Sequence, residues 1–166
     1  MTPAEYTTEV VLPTVDEYLL ARADARRAIL ACIVAWHIRD YLKQALGTPL
    51  SHVDASMNAL CSFSYQVLEG VANGSKHFRN DRGEFHFTPG DEKQVPIFAF
   101  DVPGAGWGEG RWDVPGLQIE HQGKRVFVDF CLCAVLGSVG RAFSSEFKGI
   151  DLDRYGAMVP GWKPSP

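Results

Sequence analysis

From Ala28 to Ile38 the chain carries no charged side chain: Ala28 to Trp36 are all apolar, and only His37 interrupts the run before Ile38. The run lies inside a longer stretch, Thr14 to Gly47. There Tyr18, Leu19, Ala25, Ile29, Cys32, Ile33, Trp36, Leu42 and Leu46 recur at three and four, the helical period. A helix that is apolar all round must be surrounded by the rest of its domain. The run is nevertheless far short of the ~20 apolar residues a bilayer requires. A central core helix is therefore the strongest constraint on the fold.

The ends of this helix carry signals of their own. Thr14-Val15-Asp16-Glu17 has the spacing of a capping box, and Gly47 followed by Thr48-Pro49 is a helix stop. A helix from Val15 to Leu46 would run ~48 Å at 1.5 Å per residue, so a kink or break is expected near Ala23-Asp24. Residues 1–13 hold two prolines and are expected to form an extended arm.

After Pro49 a second helix is expected, capped by Ser51 and carrying Val53, Met57, Leu60, Cys61, Phe63, Tyr65, Val67, Leu68 and Val71. So short a connection makes the two helices antiparallel neighbours. Beyond Arg79, Asn80-Asp81-Arg82-Gly83 is turn chemistry. Residues 84–88 and 95–102 read as strands, and 103–116 as a Gly/Pro-rich loop holding Trp107 and Trp112. Gln122-Gly123 joins two short strands as a tight hairpin. Asp129 then caps a third helix through Phe147, stopped by Gly149, and 151–166 reads as an irregular tail. The expected fold is a single α+β domain. It has a long helical hairpin (14–79), a small antiparallel β insert (80–128), a C-terminal packing helix (129–148) and a tail (149–166).

Composition narrows the function classes. Apolar residues make up 46% and charged ones 22%, as in an ordinary globular domain, and the net charge of −4 supplies no global pull toward nucleic acid. The N-terminus has no basic and apolar segments of a signal peptide, so the cytosol is the default location. Cys32, Cys61, Cys131 and Cys133 fall in apolar helical stretches and are expected to be free and buried. No paired Cys-x-x-Cys, nucleophile elbow or dinucleotide fingerprint is present, and no cofactor is implied. Gly104 to Gly110 is Gly-rich without matching a phosphate-binding loop.

Two places could carry chemistry. His37 and Asp40 are three apart on one helix, so they share a face. Such a pair serves as acid/base and orienting carboxylate, as two metal ligands, or simply as a satisfied histidine at the core edge. Asn73-Gly74-Ser75-Lys76-His77 ends the second helix. There Lys76 and His77, with Asn73 and Ser75, could bind an anion such as phosphate. The same residues also make an ordinary helix C-terminus, with Asn and Gly in the turn and cations at the negative end of the dipole. In an antiparallel hairpin His37 falls opposite Ser62, and the two histidines lie ~22 Å apart by helix rise. A symmetric dimer would bring the blocks together. His52 and His121 are expected at the surface.

The Ala35-Trp36-His37-Ile38-Arg39-Asp40-Tyr41 and Val71-Ala72-Asn73-Gly74-Ser75-Lys76-His77-Phe78 runs, with a strand-turn-strand leading into a final helix, resemble a widespread group of small uncharacterised bacterial proteins. The helical layout is also similar to HEPN domains, modules often found as endoribonucleases in toxin–antitoxin and phage-defence systems. Those use Arg, four to six residues, then His on a helix at a dimer interface. Arg79 and His86 have that spacing here, although the turn Asn80 to Gly83 falls inside it. The resemblance implies a HEPN-like accessory or defence-related protein, a homodimer that binds or cleaves RNA or another anionic ligand. In that reading His37, Asp40 and His77 are the catalytic candidates. Two other readings stand beside it. One is a non-catalytic interaction module whose histidines cap and pack, with Trp107 and Trp112 anchoring their loop to the body or lining an interface. The other is a metal-binding protein with His37 and Asp40 as ligands.

Overall fold

The computed structural model of the chain describes residues 1–74, 93–96 and 115–159. Helix α1 (Pro3–Tyr6) runs through a π-helical stretch, Thr7–Val11, into α2 (Leu12–Leu20). Helices α3 (Ala25–Leu46) and α4 (Leu50–Gly74) follow. Strands β1 (Lys93–Pro96), β2 (Pro115–His121) and β3 (Lys124–Phe127) form an antiparallel sheet in the order β1-β2-β3. Helix α5 (Val128–Ala142) and the short α6 (Asp153–Gly156) complete the described chain. This is the expected α+β layout: a helical hairpin, a small antiparallel sheet and a returning helix. The expected strand 84–88 and the loop 103–114 lie outside the described residues.

The apolar run does become the centre. Ala31, Cys32, Ala35, Trp36 and Ile38 of α3 are buried, and α3 packs against α1, α2, α4 and α5. Each large side chain so buried contributes about 1.5–3 kcal/mol relative to exposure. The expected break is present. Ala21 leaves helical geometry (φ −138°, ψ 57°), and Asp24 caps α3 by accepting the Arg27 N–H at 3.1 Å. At the other end Gly47 takes the left-handed conformation (φ 61°) that closes the helix. The Gln122-Gly123 turn has φ of 52° and 71°, the conformation a two-residue hairpin favours.

Several expectations are corrected. Residues 1–13 are helical from Pro3, and the capping box is built at Thr2: the Glu5 carboxylate accepts from Thr2 N–H at 2.8 Å, and Thr2 Oγ1 from Glu5 N–H at 3.1 Å. The chain holds Thr-x-x-Glu twice, and the first copy is the one at a helix start. Thr14 instead sits inside the helix and donates to Val10 O at 2.7 Å. The π stretch accommodates Pro13, whose nitrogen cannot donate; just before it, Leu12 N–H reaches Thr7 O, five residues back. Helix α4 starts at Leu50, ahead of Ser51, and is kinked at Cys61 (φ −149°). Helix α5 ends at Ala142 rather than Phe147, and its N-cap is Phe127. Asp129 is not a cap but a buried group in the first turn.

The tail is also more ordered than its composition implied. Leu152 and Tyr155 are buried. Arg154 Nη2 and Tyr155 Oη reach the Asp16 carboxylate of α2 at 2.9 Å and 2.7 Å. Gly140 lets the tail approach α5: a Cβ there would lie 2.8 Å from Leu152 Cβ, an atom tied to its backbone. Gly140→Ala gains at most about 1 kcal/mol in helix propensity. Overpacking costs roughly 1–3 kcal/mol. The variant is therefore expected to unfold at lower urea than the parent; a higher midpoint would show that α5 and the tail do not meet at this glycine.

Candidate functional site

On α3, His37, Asp40, Tyr41 and Gln44 stand at i, i+3, i+4 and i+7, one face of the helix. That face begins where the all-round apolar run ends. Opposite it lies α1, bringing Tyr6 and Met1. Together these six residues line an open cleft of about 620 Å³. His37 Nδ1 and Asp40 Oδ2 are 2.8 Å apart. A carboxylate accepts, so Nδ1 is the donor in this bond. Both side chains are partly open to solvent, at 38% and 46% exposure, so the pair is accessible to a ligand.

The aromatic wall of the cleft is fixed. Tyr6 and Tyr41 stack with ring centroids 4.1 Å apart and planes 16° apart. Tyr6 is buried, and its hydroxyl donates to Val34 O at 3.0 Å. Burial, reinforced by Tyr41 and Asp40, pushes the Tyr6 phenol up to about 12, so it keeps this proton at neutral pH. Met1, Tyr6, Tyr41 and Gln44 join His37 and Asp40 as lining residues that the sequence pattern did not single out. The signal for two of them was available: they continue the His37-Asp40 face by one and two helical turns. Tyr6 had no local signal, because its place depends on α1 folding back.

The second block is only partly described. Asn73 is half-buried and Gly74 buried in the last turn of α4. Ser75, Lys76 and His77 lie outside the described residues, as do Arg79 and His86. The helix register places Asn73 relative to the cleft. Trp36 meets Tyr65 with centroids at 4.9 Å, and Arg39 Nη1 donates to Asp54 at 3.0 Å, so α3 and α4 run antiparallel. Eight residues beyond Tyr65, Asn73 falls beside Ala28. That is nine residues, or about 13 Å of helix rise, from His37.

Other titratable groups are built into the body. Cys32, Cys131 and Cys133 are buried and Cys61 half-buried, all as free thiols. Burial pushes Cys131 and Cys133 up to about 12, so neither supplies a thiolate nucleophile at neutral pH. His52 is exposed, as expected. His121 is not: with Leu117 and Ile119 it lies on the buried face of β2, its ring 5.2 Å from Phe63, and burial lowers its pKa. Among the described residues no three His, Cys, Asp or Glu side chains gather as a metal-ligand set. No protein-family model, curated protein or solved structure matches the chain.

Asp129 is the most deeply buried carboxylate of the described chain, 3.3 Å from Arg22 Nη1 at the α2–α3 break. Burial raises its pKa and the Arg22 guanidinium only partly opposes this. The folded state therefore holds the proton to higher pH than the unfolded chain. Its contribution is most favourable below the ordinary carboxylate pKa and is lost as pH rises through the folded value. Asp129→Asn is expected to remove that slope. Urea melts of both proteins at about pH 4 and pH 7 should show the variant gaining on the parent at the higher pH, whereas a constant difference would contradict the raised pKa.

Proposed function

We propose that the protein binds RNA in the cleft between α1 and α3 and cleaves it by acid–base chemistry, in a HEPN-like accessory or defence-related role. The observation that carries this reading is the His37–Asp40 hydrogen bond of 2.8 Å at the wall of an open cleft. A carboxylate on Nδ1 orients the imidazole and fixes its tautomer. RNA brings its own nucleophile. Nε2 of His37 takes the 2′-hydroxyl proton, the 2′-oxygen bonds to the adjacent phosphorus, and the bond to the 5′-oxygen breaks. The leaving oxygen takes its proton from the imidazolium or from water.

Lys76 and His77, with Asn73 and Ser75, are the proposed phosphate contacts. The start of that block lies about 13 Å along the helices from His37. A symmetric homodimer would let one protomer's block serve its partner's cleft. Light scattering on the purified protein is then expected to give twice the 18.3 kDa chain mass. A monomer at working concentration would end this part of the reading.

The catalytic claim is tested on RNA directly. His37→Ala is expected to lower the cleavage rate by roughly 10²- to 10⁴-fold, the usual contribution of a positioned acid/base group. Asp40→Asn, which keeps the shape but loses the carboxylate, should fall between the parent and His37→Ala. Cleavage that survives His37→Ala removes His37 as the base, and no cleavage by the parent protein removes the nuclease reading and favours a non-catalytic interaction module.

A further inference from the structure

The cleft has a feature that acid–base chemistry alone does not require. Tyr41 lines it with a half-buried ring backed by Tyr6 at 4.1 Å, nearly parallel. Tyr6 is itself pinned by burial and by its bond to Val34 O. The pair is thus a rigid aromatic surface, with little side-chain freedom left to lose when something stacks on it. Gln44 stands three residues beyond Tyr41 on the same face, exposed. Its amide offers donors and an acceptor side by side, the pattern that pairs with the edge of a heterocycle. No Lys or Arg is among the described residues that line the cleft.

We infer that this cleft recognises a nucleobase, stacked on the Tyr41 ring and read along its edge by Gln44. The inference rests on the acid–base reading above and names what its substrate must present. An aromatic platform with a neutral amide, and no Lys or Arg among the described residues that line it, suits a flat heteroaromatic group better than a bare phosphate. His37 is four residues before Tyr41, about 6 Å of helix rise. A base seated on Tyr41 therefore leaves its own sugar within range of the imidazole. The cleft volume of about 620 Å³ is in the range of sites that hold small ligands. Because stacking is tolerant of base identity, Gln44 is the residue that would set any preference among bases.

The test separates this inference from the cleavage claim by measuring binding on His37→Gln protein, which should not turn RNA over. Three probes are compared: a short single-stranded RNA, an abasic strand of the same length, and free nucleoside monophosphates. The RNA should bind more tightly than the abasic strand. Tyr41→Leu, which keeps an apolar side chain, should weaken RNA binding by roughly 5- to 150-fold, the range of one lost base–aromatic stack. Tyr41→Phe keeps the ring and should bind like its parent, and thermal melts should show both variants folded. Binding of the monophosphates that also depends on Tyr41 supports the same recognition and places it on a single nucleotide. Binding seen only with the strand supports it with neighbouring nucleotides contributing. Equal binding of the abasic strand, or indifference to Tyr41→Leu, overturns the inference. His37-dependent cleavage by the otherwise unchanged protein would then leave the acid–base reading standing. Base-dependent binding with no cleavage by the parent protein does the reverse.

Discussion

Covering the apolar run of α3 governs how the other helices pack: Ala28, Ala31, Cys32, Ala35, Trp36 and Ile38 are buried, and Leu30 alone in the run stays exposed. No single neighbour can cover a helix that is apolar all round, so α1 and α2, α4 and α5 are each drawn onto it. Two breaks follow from this demand. The chain bends at Ala21 to Asp24 so that α2 can lie back against α3, and it reverses at Gly47 so that α4 can lie along it. The candidate site is a by-product of the same arrangement. Beyond Ile38 the helix turns polar on one face, and α1 is the element that meets this face. A cleft forms where the demand for burial stops.

The ion pairs act on this frame as locators more than as sources of energy. Arg39 lies over the Trp36 ring at 3.9 Å and donates to Asp54, which also accepts from Tyr65 Oη at 2.6 Å. That network fixes the register of α3 against α4. Arg154 and Tyr155 on Asp16 hold the tail to α2. Arg22 to Asp129 joins the α2–α3 break to the start of α5, where Leu117 N–H also bonds Arg22 O at 3.2 Å. The Arg154–Asp16 pair, half open to solvent, contributes about 0–1 kcal/mol, and at Arg22–Asp129 burial of the carboxylate offsets much of the attraction. Their value lies in choosing one arrangement among several that would bury the same apolar surface.

What could be read from the residues follows the range of the forces involved. The periodic core of α3, the Gly47 stop and the Gln122-Gly123 turn are set by local pattern and backbone sterics, and all three appear as expected. The two Thr-x-x-Glu segments show where local reading fails. Thr2 and Thr14 offer the same chemistry, and only the docking of α1 on α3 decides that Thr14 is mid-helix. Asp129 misled for the same reason: its spacing suits a cap, but Arg22, far away in the chain, draws it inward. His121 sits in a polar hairpin, and its burial depends on β2 lying against Phe63 of α4. The tail looked irregular because its prolines and glycines outweigh Leu152 and Tyr155 in composition, though not in buried surface. At the site, His37 and Asp40 were visible from their spacing, and the aromatic wall required the fold.

The register of α3 on α4 constrains any chemistry this chain performs. Trp36 beside Tyr65 puts His37 near Ser64, two residues from the expected pairing with Ser62, so His37 and Asn73 belong to different levels of the hairpin. Sliding α4 by two or three turns would bring Asn73 to His37, but it would expose Val67, Leu68 and Val71, all buried now, and break the Arg39–Asp54–Tyr65 network. Exposing three such side chains costs roughly 5–9 kcal/mol, as much as the whole stability of many domains. Among the described residues, the cleft is lined from α3, from Tyr6 of α1 and from Met1 before it. The proposed proton transfer and the proposed stacking both draw on these residues.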